Sequence, residues 1–312
     1  MPEKDMIQMK SIKIRHSILL VITALIWGIA FVAQSEGGSL IGPYSFNCIR
    51  SLIGALVLVP VIIVLDKKKK TVQKGSNKTL ITGGILCGCV LFAASTLQQL
   101  GLNMGASAGK AGFLTACYIL IVPILGIFMK KRCGANVWIG VALTLAGLYL
   151  LCVNGKFALE TSDILLMICA LCFSFHILVV DRFSPLVDGV KLSCIQFLVC
   201  GLLSAIPTFF VDMGHNVANI STWAKAFTTW DAWIPILYAG VMSCGVAYTF
   251  QIIGQVGINP TIASLLMSLE SVFSAIAGWI ILDEKMAGKE IVGCALIFAA
   301  IILAQIPFNK KK

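Results

Sequence analysis

Long apolar stretches alternate with short polar connections over the whole length of the sequence. Each stretch runs for about 20 residues, enough for a helix to cross a hydrocarbon layer of about 30 Å. The pattern predicts ten transmembrane helices, at residues 17–34, 44–65, 79–100, 107–129, 134–153, 162–182, 189–211, 233–255, 259–282 and 288–307. The predicted fold class is therefore an all-α polytopic membrane protein.

The apolar pattern of the first half recurs in the second half. Cys48-Ile49-Arg50 aligns with Cys194-Ile195-Gln196 at an offset of 146 residues (194 − 48). Further along, Gln99 aligns with Gln251 at an offset of 152 (251 − 99). Such self-similarity indicates an internal repeat.

The repeat predicts two five-helix domains, residues 1–156 and residues 157–312. Because five is an odd number, the second domain crosses the membrane upside down relative to the first. Inverted repeats around a cavity near the membrane midplane are typical of secondary transporters.

Composition and charge agree with a membrane protein. Of the 312 residues, 58% are hydrophobic and 12% charged, and the mean hydropathy is +0.94. The net charge of +10 does not indicate nucleic-acid binding, because most of the 24 Lys and Arg residues lie in connections on one side of the predicted bundle. Basic connections face the cytoplasm, so both termini are predicted to be cytoplasmic.

The sequence indicates no metal, cofactor or enzymatic site. The twelve cysteines lie mostly inside apolar stretches, where reduced cysteine behaves as a small hydrophobic residue. Cys169 and Cys172 have redox-like spacing, but no second pair completes a metal site. No Walker A motif occurs, and the three histidines do not cluster in sequence.

Three segments together resemble the EamA family of the drug/metabolite transporter superfamily. They are Trp27-Gly28-x-x-Phe31, Ser107 to Ala116 leading to Val122-Pro123, and Ser264 to Phe273 ending at Asp283-Glu284-Lys285. The resemblance implies a ten-helix bundle in a bacterial cytoplasmic membrane that exports or exchanges small metabolites such as amino acids. It does not identify the cargo, and nothing in the sequence indicates the oligomeric state. The second half departs from the pattern, because Phe173 stands where Trp27 would repeat.

Glu270 is the first candidate for the substrate site. It falls near the middle of the ninth predicted span, where a carboxyl group needs partners that lipid cannot supply. Its repeat mate is Tyr118 (270 − 118 = 152), predicted to lie at the same depth. A substrate amine or hydroxyl would fit between the two, although a structural hydrogen bond from Glu270 to a neighbouring helix is the alternative.

Two cations are further candidates. Arg50 lies about two helical turns from the end of the second span, so it either extends to the headgroups or binds a substrate carboxylate. Lys110 lies near the same surface, where it either pairs with Glu36 or attracts an anionic group.

The remaining candidates are polar or aromatic residues within the spans. His176 is a candidate for proton coupling, as is Glu270, with neutral packing of the imidazole as the alternative. Trp27 is a candidate cavity wall. Gln99, Gln251 and Ser268 are candidate cavity residues, Ser268 as part of a stripe of small hydroxyl residues on the ninth span.

The predicted function is secondary transport of a small organic molecule by alternating access. A channel or a lipid scramblase is the nearest alternative, and a membrane-embedded enzyme is a more distant one. The predicted partners are the transported molecule and membrane lipid.

Overall fold

The computed structural model describes residues 3–68, 75–106, 108–131, 133–152, 160–214, 217–281 and 287–305. Within these ranges the regular secondary structure is entirely helical. The helices are α1 (Glu3–Ile41), α2 (Pro43–Lys68), α3 (Asn77–Asn103), α4 (Ala108–Ala116), α5 (Tyr118–Phe128), α6 (Ala135–Cys152), α7 (Thr161–Phe183), α8 (Gly189–Pro207), α9 (Val217–Lys225), α10 (Trp230–Leu237), α11 (Tyr248–Gly254), α12 (Pro260–Met267), α13 (Leu269–Ile281) and α14 (Gly288–Gln305).

Eight helical stretches in the described residues are long and apolar enough to cross a membrane. They correspond to predicted spans one to four and six to nine, so the protein is a polytopic membrane protein whose described residues are all-helical. Predicted spans five and ten correspond to α6 and α14, which are 18 residues each. The total of ten spans stays a prediction, and the predicted boundary between residues 156 and 157 lies outside the described residues.

The fourth and ninth predicted spans are each interrupted, although the sequence pattern predicts continuous helices. The first interruption is at Cys117, between α4 and α5, and the second at Ser268, between α12 and α13. Both positions form a tightened turn, because the amide of Leu120 donates to the Cys117 carbonyl (3.0 Å) and that of Ser271 to the Ser268 carbonyl (3.2 Å). The apolar pattern does not record such a change from i+4 to i+3 bonding.

Two other segments contain wide, π-type turns. Thr208–Asp212 follows α8, and Tyr238–Ala247 connects α10 to α11. Pro207 and Pro235 lie directly before or near the start of these segments. Proline has no amide hydrogen and its ring crowds the preceding turn, so regular helical bonding is disturbed there.

Helices of the first half pack mainly on helices of the second half. The main pairs are α2 with α8, α3 with α7 and α6 with α14, while α1 contacts α13, α11 and the wide segment before α11. As a result, α1 lies inside the bundle, and its residues Leu20 and Ala24 are fully buried. The arrangement brings both halves to the same central region.

We call the end of the bundle where α1 begins the basic end, and the other the opposite end. At the basic end, Lys191 Nζ of α8 lies 2.8 Å from Asp66 Oδ2 of α2. At the opposite end α2 is joined to the wide segment that follows α8, because the amide and the hydroxyl of Ser45 donate to Asp212 Oδ2 at 2.6 and 2.8 Å. Helix α2 is therefore fastened at both ends to α8 or to the segment that continues it.

Helix α7 is also fastened at both ends. At the basic end, Lys131 Nζ lies 2.9 Å from Asp181 Oδ2. At the opposite end, Lys110 Nζ of α4 lies 2.9 Å from Asp163 Oδ1 and 3.2 Å from Glu160 Oε2. These ion pairs fix α7 against the α4–α5 segment.

We predict that Gly28→Ala destabilises the protein. A Cβ atom at position 28 of α1 would lie 2.8 Å from the Glu270 carbonyl oxygen and 2.7 Å from the Phe273 Cβ of α13. Since backbone atoms cannot move aside, the helices must separate, at a cost of about 1–3 kcal/mol. The midpoint of thermal unfolding in detergent should fall.

Gly112→Ala is the matched control. Its added Cβ would meet only Ser271 Oγ, at 3.7 Å, which is an ordinary contact. Alanine is a better helix former than glycine by about 1 kcal/mol, so this variant should be as stable as the wild type or more stable. Equal loss of stability in both variants would contradict the close packing of α1 on α13.

Candidate functional site: a buried cavity at the two helix interruptions

A small cavity lies in the centre of the bundle, where helices from both halves meet. It has a volume of about 30 Å³, room for no more than a few water molecules. Its lining residues are Trp27, Phe31, Gln34, Arg50, Gln98, Thr115, Tyr118, Phe173, Ser243, Tyr248 and Glu270. A cavity of this size does not hold a metabolite.

Glu270 and Tyr118 contact each other across this cavity. The Tyr118 hydroxyl donates to Glu270 Oε1 at 3.1 Å, and both side chains are buried. Tyr118 is the first residue of α5 and Glu270 the second of α13, so each lies directly after a helix interruption. The positive end of the helix dipole at the start of α13 favours a carboxylate there.

The predicted space between Tyr118 and Glu270 is therefore closed in this structure. Tyr118 supplies one hydrogen bond to the carboxyl group, and no Lys, Arg or His within the described residues forms an ion pair with Glu270. A ligand amine would have to displace the hydroxyl to reach the carboxylate. The site can exchange an internal bond for a ligand bond.

Arg50 is the cation of the cavity. Its Nη1 donates to Gln34 Oε1 at 2.8 Å, and its Nε and Nη2 donate to Asn47 Oδ1 at 3.1 and 2.9 Å. The guanidinium also lies 5.4 Å from the centre of the Phe46 ring. Because the side chain is only 6% exposed, the alternative in which Arg50 extends to the headgroups is wrong.

The partners of Arg50 are neutral. No carboxylate in the described part of the chain forms an ion pair with it, although the guanidinium is always protonated in proteins. Arg50 and Glu270 thus border one cavity as two buried ionisable groups of opposite sign, each held only by uncharged neighbours. Such an arrangement can receive a ligand that carries both charges.

Aromatic side chains form the wall between these groups and the basic end. Trp27 and Tyr248 are in ring contact, with centroids 4.6 Å apart, and Phe197 packs edge-on against Tyr248 at 5.2 Å. The Trp27 Nε1 hydrogen is buried without an acceptor in the structure. Trp27 therefore borders the cavity and presents a spare hydrogen-bond donor.

Several predicted site residues do not line this cavity. Gln99 Nε2 donates to the Gln34 carbonyl at 2.8 Å and to Asn103 Oδ1 at 3.0 Å. The Ser268 hydroxyl donates to the Leu265 carbonyl of its own helix at 2.7 Å. The Gln99 amide nitrogen and the Ser268 hydroxyl are therefore occupied by structural hydrogen bonds, while Gln99 Oε1 is buried without a partner.

The other three lie elsewhere as well. Lys110 binds Glu160 and Asp163, so the expected pairing with Glu36 is wrong. His176 is fully buried and its Nε2 lies 3.0 Å from Gln196 Oε1, while Gln251 is buried in α11. The structure therefore brings together Glu270, Tyr118, Trp27 and Arg50, and separates Gln99, Gln251, Ser268, Lys110 and His176 from the cavity wall.

Sequence reasoning missed Gln34 and Gln98. Gln34 lies seven residues after Trp27, and Phe31 lies four after it, so the three share one face of α1. That spacing was the signal that could have placed Gln34 in the site. Gln98 has no comparable signal, because it is adjacent to Gln99 and the sequence does not show which amide faces inward.

The profile of the EamA-like transporter family matches residues 15–153 and 161–305. An uncharacterized transporter of Archaeoglobus fulgidus is 26% identical over 293 residues, covering 92% of this chain and 84% of that protein. The threonine/homoserine exporter RhtA of Escherichia coli K12 is 25% identical over 303 residues, covering 94% and 92%.

One solved structure, described only as the crystal structure of a protein, resembles this fold with a TM-score of 0.74. It is 17% identical in sequence and covers 93% of this chain and 96% of its own chain. At that identity the likeness concerns the fold alone.

Proposed function

The chain belongs to the EamA-like transporter family, and we propose that it is a secondary transporter of small zwitterionic metabolites such as amino acids. In this proposal the cavity between Arg50 and Glu270 is the substrate site, and the protein exposes it to each side of the membrane in turn. The transporter RhtA, named for threonine and homoserine, is a relative with cargo of this class.

The observation that carries the proposal is that one cavity is bordered by a buried basic group, Arg50, and a buried acidic group, Glu270. A buried charge without an ionic partner is costly, and a bound counter-charge relieves that cost. Three of the five N–H groups of Arg50 are used by Gln34 and Asn47, which leaves two for a carboxylate, while Glu270 suits an ammonium. A ligand with only one charge would compensate one group and leave the other.

The alternating-access part of the proposal rests on two inverted five-helix repeats, residues 1–156 and 157–312. Two features support it. The family profile matches the two halves separately. The helix pairs are also reciprocal, because α2 packs on α8, its counterpart, and α6 packs on α14, its counterpart.

The contacts that fasten α2 to α8 and to the segment that continues it support the inversion further. The repeat offset of 146 residues takes Asp66 to Asp212 (212 − 66) and Ser45 to Lys191 (191 − 45). The Asp66–Lys191 contact at the basic end therefore corresponds to the Ser45–Asp212 contact at the opposite end. We propose that the two contacts close the two entrances, and that transport opens one at a time.

The basic end is proposed to face the cytoplasm, because Lys and Arg residues concentrate in its connections. Ion or solute gradients would supply the energy, since the sequence has no Walker A motif. This orientation places the Ser45–Asp212 contact at the outer entrance.

The test is transport by purified protein reconstituted in liposomes. A thermal-shift screen against zwitterionic metabolites first identifies ligands, since a ligand that binds only the folded state raises its stability. The proposal predicts saturable uptake that is accelerated by unlabelled substrate inside the vesicle. Flux that does not saturate and shows no exchange would indicate a channel, and lipid movement without solute exchange would indicate a scramblase; either result would overturn the proposal.

A further inference from the structure

Three polar or aromatic residues of α11 form a stripe from the cavity toward the basic end. Tyr248, Gln251 and Gln255 lie at i, i+3 and i+7, on one face of the helix. At 1.5 Å per residue the stripe is about 10 Å long. Tyr248 borders the cavity at one end of the stripe, and Gln255 lies at the C-terminal cap of the helix.

A second buried pair adjoins this stripe. The His176 and Tyr248 rings are in edge contact, with centroids 5.9 Å apart. His176 Nε2 lies 3.0 Å from Gln196 Oε1, an amide oxygen that only accepts, so this contact is a hydrogen bond in the tautomer that carries its proton on Nε2. The second ring nitrogen, Nδ1, points away from this bond.

Five polar atoms of these residues are buried without a hydrogen-bond partner. They are His176 Nδ1, Gln196 Nε2, Gln251 Oε1, Gln255 Oε1 and Gln255 Nε2. The four side chains are no more than 1% exposed. Buried polar groups are nearly always paired in proteins, so such a concentration requires an explanation.

The repeat counterparts of these residues differ from them in how their donor groups are hydrogen-bonded. Gln196 corresponds to Arg50 (196 − 50 = 146), and Gln251 corresponds to Gln99 (251 − 99 = 152). Arg50 donates three hydrogen bonds and Gln99 donates two. The Arg50 guanidinium and the Gln99 amide nitrogen are thus bonded toward the opposite end, although Gln99 Oε1, like Gln251 Oε1, is buried without a partner. Toward the basic end, the amide nitrogen of Gln196 and both polar atoms of Gln255 lack partners as well.

We propose that His176, Gln196, Gln251 and Gln255 form a second binding subsite, between the cavity and the basic end, for uncharged hydrogen-bonding groups. Its ligand is a hydroxyl or amide group of the substrate, or the water that accompanies it, on passage to or from the basic end. The inference rests on the proposed transport function. Tyr248 contacts both Trp27 in the cavity and His176 in the subsite, so movement of its ring joins the two.

Removing the amide of Gln255 should not lower the thermal stability of the protein. Gln255→Met keeps the length of the side chain and removes two buried groups that have no partner. The midpoint of thermal unfolding should therefore stay unchanged or rise. Gln99→Met is the matched control, because it breaks two hydrogen bonds and should lower the midpoint.

Substrate exchange by Gln255→Met should fall, although its thermal stability should not. Loss of a hydrogen bond to the moving substrate should slow exchange by Gln255→Met roughly tenfold, and Gln255→Asn, which keeps the amide, should restore part of the rate. If Gln255→Met slows the exchange of serine more than that of alanine, the ligand of the subsite is the substrate hydroxyl. If it slows both equally, the ligand is water.

A fall in thermal stability of Gln255→Met as large as that of Gln99→Met would overturn the proposal, since the amide would then be structural. Unchanged exchange in Gln255→Met would also overturn it. If the wild type exchanges no zwitterion, the transport function fails separately, and the stability comparison still decides whether these groups lack partners.

Discussion

Replacing Glu270 by Gln is expected to reduce exchange of zwitterionic substrates about 100-fold or more. Gln has nearly the same shape as Glu, and its amide oxygen can still accept the hydrogen bond from Tyr118. The change therefore removes the charge and keeps the packing. In the proposal the Glu270 carboxylate pairs with the ammonium of the ligand, and loss of one member of such a buried pair costs about 3–5 kcal/mol. Each 1.36 kcal/mol is about tenfold in rate.

The measurement is counterflow in liposomes over a range of pH, with the thermal midpoint as a check on folding. Tyr118→Phe is the control at the same contact, because it removes a neutral hydrogen bond and leaves the carboxylate in place. The counterflow rate of Tyr118→Phe should fall much less, by about tenfold or less. Normal transport by Glu270→Gln at every pH would show that Glu270 is a structural clamp.

Replacing Arg50 by Gln is expected to cause a loss of similar size and to change selectivity. The substrate carboxylate loses its guanidinium partner, while Glu270 remains available for an amine. Decarboxylated amines should therefore bind the variant better than their parent amino acids, the reverse of the wild-type order. Thermal shifts with matched amine and amino acid pairs measure this directly.

Two further variants separate charge from geometry at position 50. Arg50→Lys keeps the charge but loses the planar fork that binds Asn47 and Gln34, so it should recover little activity. In the double variant Arg50→Gln with Glu270→Gln, the losses should not add, because each group acts on the same ligand. Fully additive losses would mean that the two groups act on different ligands.

Much of the fold was predictable because the membrane imposes a simple rule on the sequence. Lipid cannot form hydrogen bonds with backbone polar groups, so each segment that crosses the membrane must be a helix with mostly apolar side chains. Eight of the predicted spans meet the length and hydropathy that a crossing requires in the described residues. The chain also starts its first helix earlier than predicted, at Glu3, because no glycine or proline follows before Gly28.

The interruptions at Cys117 and Ser268 were not predictable in the same way. Each depends on the replacement of i+4 bonds by i+3 bonds within one turn, and apolar periodicity is almost the same for both. Yet these turns bring Tyr118 and Glu270 to the cavity. The sequence placed the two residues at equal depth through the repeat offset, but not the contact between them.

Side-chain direction explains the remaining errors. Arg50 is long enough to extend either to the headgroups or into the bundle, and only the positions of Gln34 and Asn47 decide between them. Glu36 was the pairing expected for Lys110, and the packing of α4 on α7 places Glu160 and Asp163 beside it instead. Such choices depend on tertiary packing, which a repeat pattern does not encode.

Alternating access requires that the cavity open to one side of the membrane at a time, through two equivalent contacts. A single cysteine at Ser243, in a background without the twelve native cysteines, reports on access to the cavity. A membrane-impermeant thiol reagent is added to right-side-out or inside-out vesicles, and labelling is measured in Asp212→Ala and Asp66→Ala.

Alternating access predicts that the two variants change labelling in opposite directions at the two faces of the membrane. Asp212→Ala, which removes the contact to Ser45, should increase labelling from the outer face and decrease it from the cytoplasmic face. Asp66→Ala, which removes the contact to Lys191, should do the reverse. Labelling that rises from both faces in either variant, or changes in the same direction in both, would contradict alternating access around this cavity.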